Sequence, residues 1–169
     1  MKKLALIATS VFVFFMTLNV NAQDIVDVAA GNEDFSTLVT AVKAADLVGA
    51  LKGEGPITVF APTNAAFAKI DASTLTTLLK PENKATLASI LTYHVVAGKY
   101  TAADVVKALK DNGGTLELTA LSGAKFMVTQ GKDGIYLKDA NGGMSKIAAT
   151  DVMATNGVIH VIESVIMPK

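Results

Sequence analysis

Few residues of this chain have side chains suited to acid–base, nucleophilic or metal chemistry. Of 169 residues, two are histidine and none is cysteine. His94 and His160 are the candidates for a general base or a metal ligand. A hydrolytic triad needs a nucleophile, a base and an acid that orients the base. The sequence has no Gly-x-Ser-x-Gly elbow and no His-Glu-x-x-His helix. His160 lies in an apolar run, Val158 to Ile162, where a histidine is expected to be hydrogen-bonded in the core. His94 reads the same way, although Tyr93 beside it leaves a surface role open. Without Cys there is no disulfide, thiol nucleophile or thiolate zinc site. Asp133, Asp139 and Asn141 have calcium-ligand chemistry but not calcium-loop spacing, and they read as turn residues. Gly142-Gly143 is not followed by the Lys-Ser/Thr of a phosphate loop. No catalytic residue, cofactor or metal is therefore expected, and a binding role is the reading that is left.

Charge narrows the partners. The 15 basic and 15 acidic residues balance, and every basic one is Lys. Bidentate clamps on phosphate or on guanine edges use the planar fork of Arg. An Arg-free chain without excess positive charge is not expected to bind nucleic acid or an anionic membrane surface. Residues 1–22 read as a signal peptide. Lys2 and Lys3 precede the apolar stretch Leu4 to Leu18, and Val20-Asn21-Ala22 offers small side chains for cleavage before Gln23. The stretch is shorter than the about 20 apolar residues a membrane helix needs, and Thr9, Ser10 and Thr17 interrupt it. The expectation is an exported protein, periplasmic, extracellular or associated with the cell surface. It has no membrane span after cleavage, and residues 23–169 form one domain.

Two kinds of pattern follow one another along that domain. From about Asp24 to Lys110 the apolar positions recur at helical spacing. Examples are Phe35, Leu38, Val39 and Val42, then Leu87, Ile90 and Leu91, then Val105, Val106 and Leu109 behind a Thr101 cap. One strand, Ile57 to Ala61, interrupts them, and Thr63 or Asn64 is placed to cap the helix that follows. Tyr93-His94-Val95-Val96 reads as extended. From Gly114 onward the period is two. Phe126 and Val128 alternate with Lys125, Met127 and Thr129, and the turns Gly131 to Gly134 and Asp139 to Gly143 separate strands. Met144 to Ala149 and Val152 to Thr155 read as two short strands. Val158 to Ile162 is apolar on both faces except for His160, as in a central strand buried on both sides. Helices followed by strands argue for an α+β fold.

Three segments together resemble the fasciclin domain. Thr58-Val59-Phe60-Ala61-Pro62-Thr63-Asn64-Ala65-Ala66-Phe67 resembles its first signature block. Leu91-Thr92-Tyr93-His94-Val95-Val96-Ala97-Gly98 resembles its central Tyr-His segment. Ala154-Thr155-Asn156-Gly157-Val158-Ile159-His160-Val161-Ile162 resembles its second block, with Asn156-Gly157 read as a turn tolerant of positive φ. The resemblance runs from Asp24 to Pro168. It implies a small twisted β-sandwich or wedge of about seven strands with a helical layer. It also implies a secreted, non-catalytic adhesion or interaction module that binds a cell-surface or matrix protein or glycan, with self-association left open. In animal members the Tyr-His segment and a second motif before the Asn-Gly turn are linked to integrin binding. The corresponding residues here are Tyr93 and His94, and Asp151, Val152 and Met153. Ala149-Thr150 stands where such members have Glu-Pro or Asn-Lys. The alternative is an extracytoplasmic protein that binds a small ligand, a lipid or a sugar.

Overall fold

The structure, a computed structural model, describes residues 23–169; the expected signal peptide lies outside the described residues. Helices come first. Asp24 caps α1 (Ile25–Ala30) by accepting the Asp27 amide. α2 (Ser36–Ala44) follows and turns its buried Leu38, Ala41 and Val42 to the core. Beyond the α2 cap at Ala45, Asp46 takes φ 60°, tolerated by its short polar side chain, and α3 (Val48–Leu51) follows. β1 (Ile57–Pro62) runs into α4 (Asn64–Ala68), whose first-turn Ala66 amide is capped by the Thr63 hydroxyl. Then come α5 (Ala72–Leu78), α6 (Lys84–Tyr93), β2 (Val95–Ala97) and α7 (Ala102–Asp111). Thr101, the cap expected from the sequence, closes a reciprocal capping box with Asp104 at the start of α7.

The strands β3 (Thr115–Thr119), β4 (Lys125–Gly131), β5 (Gly134–Lys138), β6 (Met144–Ala154) and β7 (Gly157–Ile162) complete one seven-stranded sheet. Its order is β2-β1-β7-β6-β5-β4-β3. A bridge between Val96 and Ala120, with the Leu121 amide donating to Val95 O at 2.7 Å, brings the two edges together. The sheet therefore curls almost into a barrel, which hides most of its unpaired edge. The fold is α+β with seven strands, as the resemblance implied.

β1 and β7 lie parallel at the centre and separate two cores. Val59, Ala61 and Ile159 face the helical layer of α1, α2, α4 and α6. Phe60 and Ile162 face the barrel interior, with Tyr93, Leu109, Phe126, Val128 and Leu137. The aromatic rings there interlock edge to face, Phe60 on Phe126 at 5.5 Å and Tyr93 on Phe126 at 5.6 Å. This two-sided burial is why β7 carries no polar alternation except His160.

Three local expectations need correction. Tyr93 does not begin a strand; it ends α6, and His94 is the residue that caps it. The pieces Met144 to Ala149 and Val152 to Thr155 are not separate strands. They are one strand, β6, carrying register shifts between Ile147 and Ala149 and between Ala149 and Val152. The Asn156-Gly157 turn also works differently. Gly157 does not have positive φ. Glycine is required there because a Cβ would stand 1.9 Å from Ile57 O.

Candidate functional site

Both histidines are pinned at both ring nitrogens. His94 Nδ1 lies 2.8 Å from Ile90 O, and the Ile166 amide donates to His94 Nε2 at 3.1 Å. A carbonyl only accepts, so the proton sits on Nδ1 and the ring is neutral. At 2 % exposure, burial lowers the pKa of His94 to about 4. His160 uses the opposite tautomer. Its Nε2 donates to Tyr100 O at 2.7 Å, while Nδ1 faces the Asp151 amide at 3.4 Å. Neither ring has a free nitrogen for a substrate or a metal. Among the described residues, no three His, Asp or Glu side chains cluster as a metal site.

His160 fills the gap in β6. Between the pairs Ala149–Val161 and Val152–Ile159, β6 has one residue more than β7. The extra residue leaves Asp151 at φ 60°, with its amide turned to His160 Nδ1. Asp151 Oδ1 accepts the Ala102 amide at 2.8 Å, so the carboxylate holds an otherwise unpaired donor in the first turn of α7. Tyr100, just before that helix, donates its amide to Thr58 Oγ1, which itself donates to Gly98 O. Asp151 thus joins a continuous network from β1 through β7 to α7. Among the described residues, no buried side-chain nitrogen or oxygen lacks a partner.

The five residues singled out by the resemblance therefore fall into two groups. Tyr93 is 0 % exposed, packed edge to face on Phe126, and its hydroxyl donates to Lys125 O at 2.9 Å. His94 is buried beside it. Asp151 and Val152 are half-buried, Val152 resting against the helical core, and Met153 is 53 % exposed.

Sequence reading did not single out a second exposed apolar feature. Met127, Lys138 and Met144 are cross-strand partners on β4, β5 and β6, so their side chains share the outer face of the sheet. Met127 is 39 % and Met144 56 % exposed. Lys125 is paired with Glu117 and Lys146 with Asp133, whereas Lys138 has no acidic partner among the described residues. The signal was present in the sequence: alternation around Phe126 and Val128 points Met127 outward, where a polar side chain is usual.

Other signature residues are clamps. Asn156 Oδ1 accepts the Ile25 amide at 3.0 Å, and its Nδ2 donates to Leu51 O at 2.7 Å, fixing α1 and α3 against the β6–β7 turn. Asn64 accepts the Thr37 amide at 2.9 Å and donates to Glu33 O at 2.8 Å, fixing the start of α2.

Comparison with known proteins agrees with this architecture. The family model described as Fasciclin domain matches residues 33–168. Protein sll1483 of Synechocystis is 53% identical over 148 residues, covering 88% of this chain and 75% of that protein. Immunogenic protein MPB70 of Mycobacterium bovis is 40% identical, over 87% of this chain and 70% of its own. Among solved structures, a FAS1 domain pair from the insect cell adhesion molecule fasciclin I superposes with a TM-score of 0.74 at 21% identity. That match covers 84% of this chain and 50% of the pair. Among the described residues no helix is long and apolar enough to cross a membrane.

Proposed function

The chain belongs to the fasciclin domain family, and from that premise we propose that it is an exported, non-catalytic adhesion module. It binds a protein or glycan of a cell surface or extracellular matrix. The observation that carries this reading is the contrast between polar groups turned inward, all of them paired, and thioether side chains turned out. The protein with which it shares its fold, fasciclin I, is described as a cell adhesion molecule. Both histidines are held at both ring nitrogens by backbone groups inside the fold, which is support for a non-catalytic role.

The contact surface of this reading is made of two separate patches, the segment Asp151-Val152-Met153 at the end of β6 and the Met127–Lys138–Met144 row on the outer face of β4, β5 and the start of β6. Tyr93 and His94 act from inside as positioning residues that keep the frame of α6, β4 and the C-terminal segment rigid. Methionine makes apolar contact without demanding one geometry, which suits a surface that meets varied partners. One domain offers one weak contact, so firm attachment comes from many copies on a surface.

The test is attachment of cells, of the producing species and of a host, to surfaces coated with the protein. Replacing Met127, Met144 and Met153 by Lys is expected to reduce attachment several-fold while circular dichroism stays unchanged. Full attachment by the folded triple variant would remove this surface from the account.

A further inference from the structure

Between the helical layer and the sheet lies a cavity of about 50 Å³. Ile25, Val42 and Leu51 line it from α1, α2 and α3, and Val59, Ala61 and Ile159 from β1 and β7. Its only polar residues are Thr92 and His94. Thr92 Oγ1 already donates to Ala88 O at 2.7 Å, and both His94 nitrogens are engaged. A water molecule needs two or more polar partners to stay in such a space, and here only the lone pairs of Thr92 Oγ1 remain. The other core has large interlocking aromatics, whereas alanines and β-branched residues leave this space unfilled. Its rim reaches the surface, where Ala50 is exposed and Leu121 is 51 % exposed.

We infer that this cavity is a binding site for the end of an unbranched aliphatic chain, such as the tail of a fatty acid. Chemistry and size select that class. The lining offers only dispersion contacts and no group to hold a polar or charged head. A cavity that accepts benzene measures about 150 Å³, three times this one, so a ring is excluded and a narrow alkyl end is admitted. The exposed side chains of Ala50 and Leu121 give the next carbons an apolar path to water, where the head group remains. This site is separate from the proposed contact surface and stands or falls without it.

The probes are 1-octanol, octanoate and cyclohexanol, titrated into the protein with methyl signals followed by NMR. The expected result is saturable shifts at Ile25, Val42, Val59 and Ile159 with both octyl probes. Val128 and Leu137 in the other core stay still, and cyclohexanol gives no response. Ala50→Phe, at an exposed position on the rim, is expected to weaken octanol binding at least tenfold with an unchanged urea midpoint. Leu121→Lys, on a different element, is expected to do the same. Any of three results overturns the inference: no saturable shift, equal shifts in both cores, or octanol affinity unchanged in both variants.

Discussion

The Tyr93-His94 segment and the Asp151-Met153 segment face opposite ways. Tyr93 and His94 are 0 % and 2 % exposed, whereas Met153 is 53 % exposed. Polar groups in both segments are hydrogen-bonded, but to different ends. His94 ties Ile90 at the end of α6 to Ile166 in the C-terminal segment. Asp151 ties a bulged strand to the first turn of α7 and leaves the next side chains at the surface. The difference separates stabilising a frame from presenting a surface: changes in the first segment should act on folding, changes in the second on contact.

The largest effect should come from His94→Ala. It leaves Ile90 O and the Ile166 amide without partners in the core and opens a void. Unpaired buried groups cost about 1–3 kcal/mol each, so urea unfolding should show a loss of about 3 kcal/mol or more. A smaller loss than 1 kcal/mol would show that His94 does not hold the frame.

Acid should weaken the same latch. The folded pKa of His94 is about 4, below the ordinary 6.5. The unfolded chain therefore takes up a proton first as pH falls. The stabilisation is complete above about pH 6.5 and is lost as pH falls toward 4. Between pH 7 and pH 4 the loss from this group is about 3 kcal/mol, read from urea midpoints at the two values. In a His94→Phe background this pH dependence should flatten; if it does not, the titrating group lies elsewhere.

Smaller effects refine the contrast. Tyr93→Phe removes the hydroxyl that donates to Lys125 O, and thermal unfolding should show a cost of about 1 kcal/mol. Asp151→Ala removes the acceptor for the Ala102 amide and places a Cβ without polar compensation at φ 60°. The expected cost is about 1–2 kcal/mol. Asp151→Asn keeps both the acceptor and the tolerance of that backbone and should lie within about 0.5 kcal/mol of the natural protein. Equal losses for Ala and Asn would mean that the charge, not the hydrogen bond, holds α7. Met153→Ala should change stability least, by less than about 0.5 kcal/mol, while lowering attachment.

Much of the frame was legible from the sequence. Thr101 announced a helix start, and the apolar run around His160 announced a central strand. Tyr93-His94-Val95-Val96 misled because aromatic and β-branched residues favour strands. Tertiary packing overrides that preference, since α6 continues until Tyr93 can reach Phe126, and His94 then bonds Ile90 O one turn back. The bulges of β6 hid its continuity, because each extra residue reverses the alternation on which strand reading relies. The outward Met127 was visible in the alternation. Its alignment with Lys138 and Met144 was not, because register between strands is a property of the sheet. The cavity was not legible at all, since it depends on how short helices and alanines fail to fill space against β1 and β7.

The most direct test of the account is cell attachment to surfaces carrying the protein, its Met127/Met144/Met153→Lys variant and its Tyr93→Phe variant, compared at equal amounts of folded protein. The account predicts attachment reduced several-fold by the methionine changes and unaltered by Tyr93→Phe. Full attachment in the methionine variant, with attachment lost in folded Tyr93→Phe, would contradict it.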